Sequence, residues 1–140
     1  MLHQLTRHLL KYSETPALDA QTLLAHIHQK NTAWVLAHPN APLNQTQLNT
    51  FKKSVLQLQK GIPLPYVIGQ WEFFGIDFIV TPDVLIPRPE TEELVEKALD
   101  YLRTKPDAHV LDMGTGSGCI PISLARSAPR ISLVAVDRSD

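Results

Sequence analysis

Residues 108–137 constrain the fold more than any other stretch of the chain. An apolar run, Ala108 to Leu111, reaches Asp112 and then three alternate glycines, Gly114, Gly116 and Gly118. Ile120 to Ala125 reads as the start of a helix, and Ile131 to Val136 as a second strand that ends at Asp137. Strand, glycine-rich turn, helix and strand at this length make a βαβ unit, which implies a parallel sheet. Two parallel strands cannot bury both of their faces, so more strands are expected than this sequence supplies. The expectation is therefore a piece, or a truncated product, of a longer α/β protein.

The first 60 residues read differently. Leu2, Leu5, Leu9 and Tyr12 fall at helical spacing, and Thr15 followed by Pro16 predicts the cap and first turn of a second helix with Ala20, Leu23, Leu24 and Ile27 inside. A short helical turn is expected at 32–37, around Trp34. Asn44 is a plausible cap for a longer helix whose stripe is Leu48, Phe51, Val55 and Leu58, stopping at Gly61. Ile62-Pro-Leu-Pro65 cannot continue that helix. Trp71 to Val80 alternates aromatic and β-branched residues around Gly75, the pattern of a β-hairpin. A helix from about Glu90 to Leu102 is expected to bury Leu94, Val95, Ala98, Leu99 and Leu102. The domain reading is a helical part at 1–70, a hairpin connector at 71–89, and an α/β part from 90 to 140.

Charge separates the same halves. Residues 1–70 hold six Lys/Arg against two Asp/Glu, and residues 71–140 hold seven against twelve. Ordinary solvated helix faces explain that imbalance more simply than an acidic partner does. No apolar run approaches the roughly 18–20 residues of a membrane span. With one cysteine, Cys119, an internal disulfide is impossible, and a cytoplasmic protein is the expectation. Cys119 reads as a packing residue. The six histidines show no metal-ligand spacing, so no metal site is expected.

The glycine spacing narrows the ligand. A dinucleotide fingerprint needs its third glycine at 119, where Cys119 stands, and no Gly-Lys-Ser/Thr follows for a phosphate loop. An acid as close as Asp112 suits a cationic ligand better than a pyrophosphate. S-adenosylmethionine fits, with its ammonium and sulfonium and no phosphate, packed against bare glycine backbone and a helix N-terminus. Asp137, at the end of the next strand, has the place of an acid that accepts hydrogen bonds from ribose hydroxyls. In Leu85-Ile-Pro-Arg-Pro-Glu-Thr-Glu92 two prolines stiffen the chain around Arg88. That segment is either a rigid linker into a capped helix or a wall of the site.

Taken together, Pro63-Leu-Pro-Tyr-Val-Ile-Gly69, Glu72-Phe-Phe-Gly75, Phe78-x-Val80, Val84-Leu-Ile-Pro-Arg-Pro-Glu-Thr-Glu92 and Leu111-Asp-Met-Gly-Thr-Gly-Ser-Gly118 resemble the release factor glutamine methyltransferase family (PrmC/HemK), in order along the whole chain. The resemblance implies an N-terminal helical domain, a β-hairpin connector and the first βαβ unit of a Rossmann-like methyltransferase domain. It implies methyl transfer from S-adenosylmethionine to the side-chain amide nitrogen of the Gly-Gly-Gln glutamine of peptide chain release factors, without direct nucleic-acid or membrane binding. It implies a donor site of Asp112, Gly114, Thr115, Gly116, Ser117, Gly118 and Asp137, with Arg88, Pro89, Glu90 and Thr91 as a possible pocket wall. The family's substrate motif, Asn-Pro-Pro-Tyr, does not occur in these 140 residues, so no catalytic residue is expected here. Two other readings remain open: a nucleic-acid amino-methyltransferase, and a non-catalytic fragment that docks release factors.

Overall fold

The computed structural model describes residues 1–139, with seven helices and two small sheets among them. They form two compact units, one of Met1–Ile68 and one that starts at Gly69. Each has its own hydrophobic core.

The first unit is helical: α1 (Leu2–Leu9), α2 (Pro16–His28), α3 (Thr32–Ala37), α4 (Gln45–Gln59) and α5 (Leu64–Ile68). Leu2, Leu5 and Leu9 of α1 pack with Ala20, Leu23, Leu24 and Ile27 of α2, Val35 of α3, Leu58 of α4 and Leu64 of α5. Helix α1 ends before Tyr12, which lies in the following turn and is exposed rather than part of the expected stripe. Thr15 stands at the N-cap of α2, but its side chain makes no cap bond. Instead the Ser13 and Thr15 hydroxyls donate to Asp19, at 2.6 and 3.3 Å, so the carboxylate collects both.

Asn44 behaves as its chemistry demands. Its Oδ1 accepts from Gln47 N–H at 2.9 Å, while Gln47 Oε1 accepts from Asn44 N–H at 3.0 Å, a reciprocal capping box. Asn44→Ala removes the first bond and is expected to cost about 1 kcal/mol, read as a lower denaturant midpoint at unchanged slope. Helix α4 ends at Gln59, ahead of Gly61 with its φ of 78°, and the prolines that follow begin α5. Leu64 and Pro65 fill its first turn, where a missing N–H costs nothing, and Tyr66 and Val67 N–H groups donate to Pro63 O.

The second unit opens with the hairpin β1 (Gln70–Phe73) and β2 (Ile76–Ile79), antiparallel in the register Phe73↔Ile76 and Trp71↔Phe78. Phe74 and Gly75 turn with φ 53° and 71°, the left-handed pair that a two-residue hairpin requires. An aromatic residue is costly there. Two carboxylates hold the turn: Glu72 accepts from Gly75 N–H at 2.6 Å and Glu92 from Phe74 N–H at 2.9 Å.

Helix α6 (Glu90–Leu102), strand β3 (His109–Met113), helix α7 (Cys119–Ser127) and strand β4 (Ser132–Val136) follow, and β3 pairs with β4 in parallel. The hairpin's Phe73 and Phe78 share one core with Val95 and Leu102 of α6 and Cys119 and Leu124 of α7. Leu94 departs from expectation and is 54% exposed. It precedes Val95, which is fully buried, and lies off the inward stripe. The two-stranded sheet has one bare face. Leu111, Met113, Val134 and Val136 are all exposed, and in register Leu111 is beside Val134 and Met113 beside Val136.

Candidate donor-binding site

The β3–α7 turn and the end of β4 meet because β3 and β4 are parallel neighbours, so both C-terminal ends lie on one edge. Gly114 and Thr115 N–H groups donate to Val136 O at 2.8 and 3.1 Å. Gly118 N–H donates to Thr115 O at 2.9 Å, closing the turn, and Gly116 N–H donates to Asp137 Oδ2 at 2.8 Å. The structure thus brings Asp112, the glycine turn and Asp137 to one edge. It also spends the N–H groups of Gly114, Thr115, Gly116 and Gly118 inside the protein rather than leaving them turned to a ligand. A turn wired this way is a poor cradle for phosphate, which needs such donors free.

Gly118 caps α7 at φ 76°, and a Cβ there would stand 3.2 Å from Ile122 Cδ1. Gly118→Ala is expected to cost about 1–2 kcal/mol from the left-handed backbone, seen as a lower melting temperature. At Gly116 the space a Cβ would enter is open, so a ligand can lie directly on the backbone.

Two side-chain oxygens in this edge are buried with no partner: Asp112 Oδ2 and Thr115 Oγ1. A buried unsatisfied oxygen costs about 1–3 kcal/mol, so proteins keep few of them without a ligand or water to serve. An ammonium or hydroxyl donor fits them, and S-adenosylmethionine carries both.

Asp137 is exposed, yet strongly committed. Ser139 N–H and Oγ–H donate to its Oδ1 at 3.0 and 2.9 Å, and Gly116 N–H to its Oδ2. The Ser139 backbone bond first, then the Gly116 bond, hold its carboxyl down from 3.8 to about 2. A depressed carboxyl pKa adds stability above the ordinary carboxylate range, and that contribution is lost as pH falls towards about 2. At neutral pH Asp137 is an anion.

The 88–91 segment enters α6 as a tight turn, Thr91 N–H donating to Arg88 O at 2.9 Å. Arg88, Pro89 and Glu90 are exposed and Thr91 is half-buried. Among the described residues no hydrogen bond or ion pair joins this segment to the glycine turn. Glu92, next in sequence, is committed to Phe74 N–H in the hairpin, a role its sequence gives no sign of. A groove of about 330 Å³ lies at the other end of α7, lined by Leu99, Leu102, Pro106 and Ala128 with Arg103 and Arg130. Both guanidiniums are already paired, with Asp100 and Asp107. Among the described residues no three His, Cys, Asp or Glu side chains stand together as a metal site. No helix there is long and apolar enough to cross a membrane.

Residues 1–69 match the family described as the PrmC N-terminal domain. The chain is 41% identical over 135 residues to a release factor glutamine methyltransferase of Coxiella burnetii, covering 96% of this chain and 49% of that protein. It is 39% identical to one of Bordetella pertussis, over 96% of this chain and 50% of the relative, and 36% identical to one of Aliivibrio fischeri, over 94% and 46%. It spans about half the length of these relatives. By these likenesses the chain belongs to the release factor glutamine methyltransferase family.

Proposed function

We propose that the chain carries the donor-binding part of a cytoplasmic S-adenosylmethionine-dependent protein methyltransferase, whose substrate is the Gly-Gly-Gln glutamine of peptide chain release factors. In this reading residues 1–70 are a helical domain, 71–89 a connector, and 90–140 the start of a Rossmann-like methyltransferase domain. The bare face formed by Leu111, Met113, Val134 and Val136 supports the Rossmann-like part, since a larger sheet layered on both sides would cover it.

The observation that carries the reading is the pair of unpartnered buried oxygens, Asp112 Oδ2 and Thr115 Oγ1, beside a turn in which the N–H groups of Gly114, Thr115, Gly116 and Gly118 are spent. S-adenosylmethionine supplies an electrophilic methyl group on its sulfonium sulfur. The chain's own residues bind and orient. The Asp112 carboxylate serves a cationic end, Thr115 and Ser117 offer hydroxyls, and Gly114, Gly116 and Gly118 let the ligand lie against backbone. Asp137 accepts from a sugar hydroxyl. Arg88, Pro89, Glu90 and Thr91 are proposed as the pocket wall. Isothermal calorimetry with S-adenosylhomocysteine tests this. Binding is expected, weakened at least about tenfold in Asp112→Ala, the loss of one charge-assisted contact. Equal binding by the two proteins would remove Asp112 from the site, and no binding by either would remove the donor reading.

A second reading concerns residues 1–70 as a release-factor docking surface. Among the described residues none of their six Lys/Arg forms an ion pair, whereas Lys97, Arg103 and Arg130 of the second unit all do. Unpaired cations favour an acidic partner and a salt-sensitive association. The double charge reversal Lys52→Glu with Lys53→Glu tests this by release-factor pull-down at low and high salt.

A further inference from the structure

We propose that Asp137 is a positioning residue that latches the glycine turn before any donor arrives. The turn has little else to hold it. At Gly114 and Gly116 nothing packs where a side chain would be, and both have positive φ, 80° and 54°. Glycines in open space lose the most conformational freedom on being fixed, so hydrogen bonds have to hold them. Of the four bonds that do, three end on backbone carbonyls and are insensitive to side chains. The fourth, from Gly116 N–H, ends on Asp137 Oδ2 at 2.8 Å and joins residues 21 apart in sequence.

The carboxylate is itself aimed. Ser139 donates twice to Oδ1, which turns Oδ2 to the loop. An ionised acceptor makes this the strongest kind of N–H bond the turn can have, and the depressed pKa keeps it ionised.

The latch also bears on the ligand. A carboxylate offers about four lone-pair sites. Ser139 takes two, both on Oδ1, Gly116 takes one on Oδ2, and the Arg138 N–H also acts on the carboxyl. A diol that grips both oxygens therefore has to displace a Ser139 bond. This last step rests on the donor-site reading above; the latch itself does not.

Amide NMR on the full chain without ligand tests the proposal. The Gly116 amide proton is expected far downfield and protected from exchange. In Asp137→Ala its protection should fall at least about tenfold, with the hairpin amide of Val80 unchanged as a folding control. Asp137→Asn keeps an acceptor oxygen and should restore most of the protection, with the proton moved upfield by the loss of charge. Unchanged Gly116 protection in Asp137→Ala would overturn the latch. Should that variant fail to fold, an unmoved Gly116 proton in Asp137→Asn would overturn it equally. S-adenosylhomocysteine titrated into the same samples separates the two proposals. Lost binding with unchanged Gly116 protection sinks the latch and leaves the donor site. Lost protection with unchanged binding leaves the latch and removes Asp137 from ligand contact.

Discussion

A protein of these 140 residues, incubated with S-adenosylmethionine and an unmodified release factor, is expected to leave the glutamine unmethylated, at least about 1,000-fold below a full-length relative. The reason lies in the nucleophile. An amide nitrogen shares its lone pair with the carbonyl, so it attacks poorly unless both N–H bonds are held by acceptors and the nitrogen is set in line with the methyl group. The residues that the family resemblance assigns to that task, Asn-Pro-Pro-Tyr, are not in this sequence. The donor edge supplies acceptors at Asp112 and Asp137, but these serve the donor in the proposed reading. Mass spectrometry of the Gly-Gly-Gln peptide reads the result directly, and calorimetry with S-adenosylhomocysteine on the same preparation shows whether the donor half is intact. Methylated peptide would mean that the substrate amide is held within these residues, with Arg88 to Glu92 the first place to look. It would count against the assignment of that segment to the wall alone.

Local chemistry made much of this fold legible. Asn44 with Gln47 three residues on is a cap whatever surrounds it, and Gly75 at the centre of an aromatic alternation can only turn. The βαβ register followed from run lengths around the glycines. What failed depended on tertiary partners. Leu94 has the composition of a core residue, but the direction of the α6 stripe is set by what Val95 meets. Thr15 does hold the N-cap position of α2, but its hydroxyl goes to Asp19 instead of capping, a competition that cannot be read from propensity. Pro63 and Pro65 were legible as breakers, and their second use, starting α5, depends on the turn that precedes them. That the glycine turn and Asp137 meet at one edge, the candidate site, was readable from spacing. That Asp137 is tied to Gly116, and Glu92 to Phe74, was not, because both are bonds from a side chain to a backbone N–H many residues away.

Phe73→Ala is expected to destabilise the second unit by about 3–5 kcal/mol, the range for deleting a fully buried aromatic ring. Phe73 is 1% exposed and meets Phe78 edge to face at 6.2 Å and 73°. The cavity would open among Val95, Leu102, Cys119 and Leu124, so it falls between the hairpin and both helices rather than inside one element. Since a domain's whole stability is about 5–15 kcal/mol, the loss is enough to leave the unit marginal. In the proposed reading, donor binding is coupled to it through α7. Cys119 and Leu124 stand in that core, and α7 begins where the glycine turn ends, so loosening the core loosens the ligand edge. S-adenosylhomocysteine affinity should fall along with the denaturation midpoint, although Phe73 has no place in the site. Leu111→Ala is the matched control. It removes a large apolar side chain from β3 itself, only three residues before Gly114, but Leu111 is 60% exposed on the bare face and should cost about 0.5 kcal/mol or less. If the two substitutions cost the same, the hairpin does not share the core with α6 and α7. If Phe73→Ala lowers stability while leaving affinity untouched, α7 does not carry the disturbance to the donor edge.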